Sequence, residues 1–373
     1  MFLMSGKTSF TAFWNAERMI GPEQAWEVRS LQKQVADPRL VRAVGAVLPG
    51  GAASVKSAAY WQWKHIDNPA GASTGAFAEA LASGQVIGVR PFMRWRLESA
   101  SGATLDVVRA VDTVTDPGWQ GRGVFKQLSR TALDSLNDER CPFIFNTPNA
   151  NSAPGYRKLG WQRIGRMPMY IRPRRPMRLA HALAIRGRAF GRGQKPDVES
   201  FGLQHEPAWR SAVECPGVRK VIKDHGVSRV RRGLRTERSF SFLEWRYARH
   251  PHVDYRVVVW PETDSPRAVA VVRPNIRFGL NELVIADLWA IGADSAAMAQ
   301  CLRRILRETS ADYLVAHFAR GSPEWHALRR NFFLRPYRQG MDLYVRKLVG
   351  MPEDPDPMDL RSWDLCLGDL ELF

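Results

Sequence analysis

At 373 residues and 42.2 kDa, the chain exceeds one ordinary domain and suits two domains of roughly 150–190 residues each. Hydrophobic residues make up 45% of it, which excludes global disorder, and no stretch reaches the ~18–20 apolar residues that span a bilayer. The net charge of +17 is concentrated in residues 165–250, which hold 20 basic and 7 acidic residues. This excess favours an anionic partner.

The first residues lack a basic segment followed by an apolar core, so no signal peptide is predicted and we expect a cytoplasmic protein. The four cysteines are far apart and form no C-x-x-C pair: Cys141, Cys215, Cys301 and Cys366. This spacing argues against a zinc site and a disulfide framework. We expect four free, mostly buried thiols and no metal.

Two stretches of the chain resemble each other. Residues 60–69 align with residues 242–251, and the shared tryptophans, Trp63 and Trp245, are 182 positions apart. Each stretch is followed by three predicted strands, at 76–82, 84–94 and 105–115 and at 255–260, 268–273 and 282–290. A helix, a short apolar strand and another helix follow in both halves. The offset predicts a duplicated α/β unit.

A loop with two glycines follows the third predicted strand. Asp116-Pro117-Gly118-Trp119 breaks the strand, and Gln120 to Phe125 then open a helix whose apolar positions are Phe125, Leu128, Ala132 and Leu136. Bare amides and a helix dipole make such a turn a cradle for an anion. The loop is neither a P-loop nor a Rossmann turn, because the motifs of both are absent.

A second motif, Asn149 to Trp161, follows the next predicted strand at 141–145. The two motifs together resemble the GCN5-related N-acetyltransferase superfamily, of the tandem-domain type. Gln120 and Gly123 match its coenzyme A loop, Q/R-x-x-G-x-G/A, although Phe125 stands where Gly or Ala is commoner. Tyr156-Arg157-Lys158-Leu159-Gly160-Trp161 matches the second motif, Tyr-x-Lys-Leu-Gly-aromatic.

The resemblance implies a coenzyme site and a proton donor. Acetyl-CoA, as co-substrate, would bind main-chain groups of the strand and the loop, so the predicted contacts are Thr113, Val114, Thr115, Gln120, Gly121, Arg122, Gly123, Val124, Phe125 and Asn151. An amide near Val114 would polarise the thioester carbonyl. Tyr156 would donate a proton to the leaving thiolate, and a structural tyrosine is the alternative.

The general base is less evident in the sequence. Asp112 shares a strand face with Val108, Ala110 and Val114, so it is a candidate base with a raised pKa. A structural hydrogen bond is its alternative, and no base is needed if the amine arrives neutral. The asparagines Asn146, Asn149 and Asn151 either orient the acceptor or cap turns and helices.

A basic linker at 173–196 separates the predicted units, 1–172 and 197–373, with the boundary near residue 195. The first unit is expected to bind acyl-CoA. Within the linker, 177–190 reads as a short basic helix that either packs on the protein or allows weak contact of 172–195 with an anionic membrane.

The second unit lacks the chemical features of the first. Asp294 stands where the phosphates would lie and reads as a helix cap, and Leu328 takes the position of Tyr156. We therefore expect a degenerate unit that serves as a lid or as a wall for the acceptor. The acidic tail at 362–373 either folds back into the cleft, as the terminal carboxylate does in tandem members, or frays.

These observations predict an α/β fold with two tandem acetyltransferase-like domains, each a mixed, mostly antiparallel sheet flanked by helices. The resemblance implies that the first also contains a splayed pair of parallel strands. The expected function is transfer of an acetyl group from acetyl-CoA to a primary amine of a small molecule or sugar precursor, and the arginines favour an anionic acceptor. The alternative is a basic protein that binds nucleic acid or a membrane surface through a catalytically dead fold; nucleic acid is not our expected partner. A peptidyltransferase that uses charged tRNA also fits the charge, but the intact coenzyme loop disfavours it.

Overall fold

The computed structural model describes residues 25–48, 57–139, 141–184, 196–228, 233–336, 339–350 and 355–370. In these ranges no helix combines the length and the apolar character that a membrane crossing requires. All four cysteines are free thiols, three of them buried and Cys215 half-buried, as predicted. The described residues include no cluster of His, Cys, Asp and Glu that could hold a metal ion.

The chain forms fourteen described strands and ten described α-helices. The strands are β1 (Trp26–Ser30), β2 (Thr74–Ala80), β3 (Val86–Glu98), β4 (Thr104–Ala110), β5 (Val114–Thr115), β6 (Phe143–Asn146), β7 (Gln162–Pro168), β8 (Tyr170–Pro173), β9 (Arg235–Thr236), β10 (Arg256–Trp260), β11 (Ala268–Arg277), β12 (Leu280–Ala290), β13 (Tyr313–Ala316) and β14 (Gly340–Lys347). The helices are α1 (Pro38–Val47), α2 (Ala58–Trp61), α3 (Val124–Asp138), α4 (Ala153–Lys158), α5 (Pro176–Ala184), α6 (Trp209–Ala212), α7 (Pro216–Ser228), α8 (Phe240–Leu243), α9 (Ser295–Glu308) and α10 (Pro323–Arg330).

The strands form two sheets. The first has the order β1-β2-β3-β4-β6-β14-β7, with β5 and β9 also paired to β3, and the second has the order β10-β11-β12-β13-β8. Parallel pairs occur at β4–β6 and at β12–β13, and the other pairs are antiparallel. Helix α3 packs on the first sheet and α9 on the second, each over its own apolar core. The predicted α/β class, with two helix-flanked sheets and a parallel pair in the first, is confirmed.

Each half of the chain contributes strand pairing to the sheet of the other half. β8, from the first half, pairs with β13 of the second sheet, and β14, near the end of the chain, lies between β6 and β7 in the first. One large core contains residues of both halves. The predicted boundary between the two units is therefore crossed in both directions, by β8 from the first half and by β9 and β14 from the second.

The two similar stretches have the same local structure and meet face to face. α2 and α8 each run into a single π-helical turn, at Gln62–Ile66 and Glu244–Ala248. The indoles of Trp63 and Trp245 stack with their centroids 4.7 Å apart, and each Nε1 donates to the other's backbone carbonyl at 2.7 Å. The shared pattern thus gives two equivalent turns related by a local two-fold arrangement.

One predicted strand is wrong in its extent. The strand predicted at 105–115 is divided in two, because Asp112 has a φ of 44°, a left-handed conformation that interrupts the extended backbone. β4 ends at Ala110 and the chain resumes as β5 at Val114. The face that Asp112 was predicted to share with Val108, Ala110 and Val114 therefore does not exist.

The linker and the tail are only partly described. The described part of the linker contains α5, and both Arg175, just before this helix, and Arg178, within it, pair with the buried Asp312. Residues 185–195, including the predicted boundary near 195, lie outside the described residues. The tail is described to Leu370, and its apolar side chains, including Trp363, are buried. Fraying is therefore wrong for 362–370, whereas the terminal carboxylate lies outside the described residues.

Candidate active site

A cleft of about 970 Å³ opens where the parallel strands of the first sheet separate. β4 and β6 pair only through Val108–Ile144 and Arg109–Phe145. Past these pairs β5 is bonded to β3, so residues 110–115 line the cleft without β6 as a neighbour. An extended ligand can bond main-chain groups at such a gap.

The mouth of the cleft is the loop before α3. Asp116 accepts from the Gly118 amide at 2.8 Å, and Gly121 and Gly123 have φ values of 76° and 87°, which side chains rarely adopt. Gly123 is the N-cap residue before α3 and offers no side-chain cap, and the amides of the first helical turn have no intrahelical acceptor. A Cβ on either glycine would meet no atom within 4 Å. Open space beside unpaired amides suits a phosphate group.

The structure brings most of the predicted site residues together. Eight of them line the cleft: Asp112, Thr113, Val114, Thr115, Gln120, Phe125, Asn151 and Tyr156. Of the other four, Gly121 and Gly123 shape the loop, and the guanidinium of Arg122 lies 5.1 Å over the Trp119 ring. The side chain of Val124 is buried in the core, so only its amide could serve a ligand.

Gln120 holds the loop against the strand. Its Nε2 donates to the Thr115 carbonyl at 3.2 Å, so two residues that were predicted to contact a coenzyme bond to each other. Gln120 therefore links the end of β5 to the loop before α3.

A buried arginine contacts Tyr156. Arg90 has no exposed surface, and its Nη1 donates to the Tyr156 hydroxyl at 3.1 Å and to Thr113 Oγ1 at 2.8 Å. Its guanidinium packs 4.9–5.5 Å from four aromatic rings: Phe92, Phe125, Tyr156 and Trp161. Because the phenol oxygen accepts from Arg90, the phenol proton is left for another acceptor.

These contacts also explain Phe125, the departure from the coenzyme motif. Its ring lies 5.5 Å from the Arg90 guanidinium, and a Cβ added at Gly155 in α4 would meet this ring at 3.7 Å. A glycine or alanine there would leave one face of the arginine without this cation–π contact.

Asp112 lies in a buried ion pair. Its Oδ2 is 2.6 Å from Lys64 Nζ and 3.2 Å from His65 Nε2, and the Nδ1 of His65 is 2.9 Å from Ser73 Oγ. Lys64 and His65 are almost fully buried in the π-helical turn. The carboxylate therefore joins that turn to the backbone kink beside the cleft.

The asparagines divide between two roles. Asn149 Oδ1 accepts from the amides of Asn151 and Ser152, both at 3.0 Å, which is the turn-capping role that the sequence left open. Asn146 is buried and lines the cleft, and its Oδ1 has no hydrogen-bond partner in the described part of the chain. Its amide oxygen is thus a buried acceptor in the wall of the cleft.

Sequence reasoning missed Arg90, Lys64 and His65. The repeat contained a signal for the last two, since Lys64 and His65 align with Arg246 and Tyr247, and Tyr247 in turn donates to Asp287. For Arg90 no local signal exists, because only Phe92 lies near it in the sequence and its other three aromatic partners come from the coenzyme loop and the second motif.

In the second sheet, the tail fills the corresponding opening. β12 and β13 pair from Glu282–Tyr313 to Val284–Val315, and beyond them the Gly368 amide donates to the Ala286 carbonyl at 2.8 Å. The thiol of Cys366 donates to Asp287 at 3.1 Å. Burial raises the pKa values of this thiol and of the Tyr247 phenol, so both stay protonated as donors.

The loop of the second half has the predicted cap. Asp294 precedes α9, and its Oδ1 accepts from the Ala296 amide at 2.7 Å. A carboxylate thus occupies the place that Gly123 leaves open in the first half.

Comparisons with known proteins agree on the fold. A family model described as an acetyltransferase (GNAT) domain matches residues 54–164. A GCN5-related N-acetyltransferase from Anabaena variabilis is 12% identical, covers 86% of this chain and 73% of its own, and has a TM-score of 0.53. One from Kribbella flavida is 15% identical, with coverages of 87% and 71% and a TM-score of 0.52.

A third similar structure is an N-myristoyltransferase from Saccharomyces cerevisiae with bound myristoyl-CoA. It is 10% identical, covers 88% of this chain and 80% of its own, and has a TM-score of 0.54. A comparison with curated protein sequences gives no match. At these identities the structural similarity shows the fold alone, whereas the family model covers both motifs of the cleft. Residues 54–164 therefore match the family model of an acetyltransferase (GNAT) domain.

Proposed function

We propose that the chain is an N-acyltransferase that moves an acetyl group from acetyl-CoA to a primary amine. The observation that carries the proposal is the cleft itself, where a strand edge that β6 no longer covers, the uncapped start of α3 and a buried tyrosine meet. The residues fit an acyl-CoA: a pyrophosphate suits the loop at Gly121 and Gly123, and an extended arm suits residues 113–115.

The reaction forms a C–N bond and breaks a C–S bond. The amine attacks in its neutral form and then loses a proton to solvent water, and the departing sulfur must gain a proton. In our proposal Tyr156 donates that proton, Arg90 positions its hydroxyl, and the Val114 amide polarises the thioester carbonyl. The thioester supplies the acyl group.

Of the two roles predicted for Asp112, the contacts favour the structural one. Its carboxylate already pairs with Lys64 and His65, inside the protein. We propose that it fixes the backbone kink beside the cleft and that the amine arrives neutral. Replacing Asp112 with Asn should then lower the melting temperature. Loss of turnover with an unchanged melting temperature would instead support Asp112 as the general base.

The length of the acyl chain is tested by titration. Acetyl-CoA should raise the melting temperature and should release the thiol of CoA when an amine is present. A longer acyl-CoA, such as myristoyl-CoA, should release its thiol no faster. Amines that carry a phosphate or carboxylate should be better acceptors than neutral ones, since the net charge is +17. Preference for myristoyl-CoA would contradict the acetyl assignment.

The competing function is binding of nucleic acid or an anionic membrane by an inactive fold, and the charge is the observation that favours it. It predicts affinity for DNA or anionic vesicles that falls steeply with salt, and no response to acetyl-CoA. We place the protein in the cytoplasm under our proposal, which needs only soluble substrates.

We also propose that the chain arose by duplication into units at 1–172 and 197–373, joined by a linker at 173–196. The paired π-helical turns and the reciprocal bonds of Trp63 and Trp245 support this origin. The exchange of β8 and β14 makes the two units mutually dependent, so neither should fold when expressed alone.

A further inference from the structure

A second cavity, of about 660 Å³, lies at the carboxyl end of β13 and shares no lining residue with the cleft. Its walls come from the end of β7, the start of β8, the loop after β13 and residues 360–364 of the tail. Cavities of this volume hold small organic molecules.

The walls of this cavity are apolar. Met167, Tyr170, Phe318 and Trp363 line it, and each is less than 10% exposed. A bare inorganic ion would gain nothing from these side chains, so the cavity suits a ligand with an apolar or aromatic body.

The rim of the cavity is cationic. Four arginines line it against one carboxylate, Asp364. Arg166 is paired with Asp342 at 2.7 Å and Arg361 with Asp359 at 2.7 Å. Arg320 and Arg335 are exposed and make no ion pair within the described ranges. Two guanidinium groups beside an apolar cavity are suited to a phosphate or a carboxylate.

A buried histidine adds a polar group. His317 lines the cavity, and its Nδ1 lies 2.8 Å from the Pro168 carbonyl, which only accepts, so Nδ1 carries the proton. Burial lowers the pKa of His317 to about 4, so the ring is neutral near pH 7. Nε2 is then an acceptor for a hydroxyl or amine of the ligand.

We propose that this cavity is a second ligand site, which binds an organic anion with its apolar body between Tyr170, Phe318 and Trp363 and its charged group at Arg320 and Arg335. The site does not depend on the acyltransferase proposal, because no residue of the cleft takes part in it. Phosphate and carboxylate share the required chemistry.

The test uses 1-naphthyl phosphate and 1-naphthoate, with 1-naphthol as the uncharged match. Calorimetry on the full chain, with and without saturating CoA, should give one site for at least one anion and at least tenfold weaker binding of naphthol. The two anions distinguish a phosphate site from a carboxylate site. Binding that CoA abolishes would assign the ligand to the cleft and overturn the proposal.

Variants locate the site. The double variant Arg320→Gln, Arg335→Gln should bind the anion at least tenfold more weakly. Its CoA affinity and melting temperature should stay unchanged. Arg303→Gln is the matched control, because Arg303 is an exposed arginine of α9 outside the cavity. No saturable binding of either anion, equal binding of naphthol, or an unchanged affinity in the double variant would each overturn the proposal.

Discussion

Tyr156 and Arg90 form a buried, hydrogen-bonded pair whose side chains are held in place by their neighbours. The arginine donates to the phenol oxygen, and the rings of Phe92, Phe125 and Trp161 confine its guanidinium. Two of its nitrogens, Nε and Nη2, have no partner in the described part of the chain. Leaving such a cation unpaired costs stability, so a role in orienting Tyr156 is a physical reason to keep it.

Removing the phenol tests proton donation. Tyr156→Phe should lower turnover by about 10²-fold, because the thiolate would leave without a proton donor, and should change acetyl-CoA affinity little. Steady-state kinetics and calorimetry measure the two effects. Tyr255→Phe, which alters a buried tyrosine outside the cleft, is the control. Unchanged turnover, once chemistry limits the rate, would leave Tyr156 a structural residue.

Arg90 should act only through Tyr156. Arg90→Met keeps the length of the side chain and removes an unpaired buried charge, so the melting temperature should not fall. Turnover should fall as in Tyr156→Phe, and the double variant should be no slower than either single variant. Additive losses in this double-mutant cycle would contradict the positioning role.

At the scale of elements, the coenzyme loop depends on the empty positions at its glycines. Gly123→Asp places a carboxylate beside the unpaired amides of α3, where an anion should bind, and CoA affinity should fall at least 100-fold while the fold survives. Gly350→Asp is the matched control, because Gly350 has a similar φ of 74° and equally open surroundings. Undiminished CoA affinity in a folded Gly123→Asp protein would contradict the assignment of this loop as the coenzyme site.

The exchanged strand β14 is tied to β7 by Asp342. Hydrogen bonds from Arg166 and Arg163 lower the pKa of Asp342 to about 2, from its usual 3.8. A lowered pKa means that the ionised group stabilises the fold above pH 3.8 and that this stability is lost as the pH falls through about 2.

Asp342→Asn should therefore lower the melting temperature near neutral pH, and its difference from the unchanged protein should shrink as the pH approaches 2. Thermal unfolding across this pH range measures it. Asp106→Asn, which removes an ion pair of a carboxylate that is 72% exposed, should show little effect. A constant difference at all pH values would mean that the Asp342 charge does not support the pairing.

For the whole molecule, the decisive difference between the halves is what fills the opening between the parallel strands. In the first sheet the opening is a cleft, and in the second it holds the tail around Gly368, beside a helix capped by Asp294. Calorimetric titration with CoA should therefore give one site per chain, which Gly123→Asp abolishes. Two sites, or one that survives this change, would mean that the second half binds the coenzyme.

The features that the sequence predicted are contiguous ones. The strand, the Pro and Gly break and the start of α3 lie within residues 107–125, so spacing and backbone preference were sufficient to place the loop. The cap at Asp294 is equally local. The repeat around Trp63 and Trp245 was visible because both copies retained the same side-chain pattern.

Only the tertiary structure decided the contacts that join distant segments. The Asp112–Lys64 ion pair joins the backbone kink to the π-helical turn, and the Arg90 guanidinium packs against four aromatic rings. β14, from near the end of the chain, lies between β6 and β7. Local periodicity encodes which residues are buried and in which element, but it does not encode which buried surfaces meet. Which surfaces meet depends on the packing of the whole core. In this protein that packing leaves a cleft open in the first sheet and places the tail in the corresponding opening of the second.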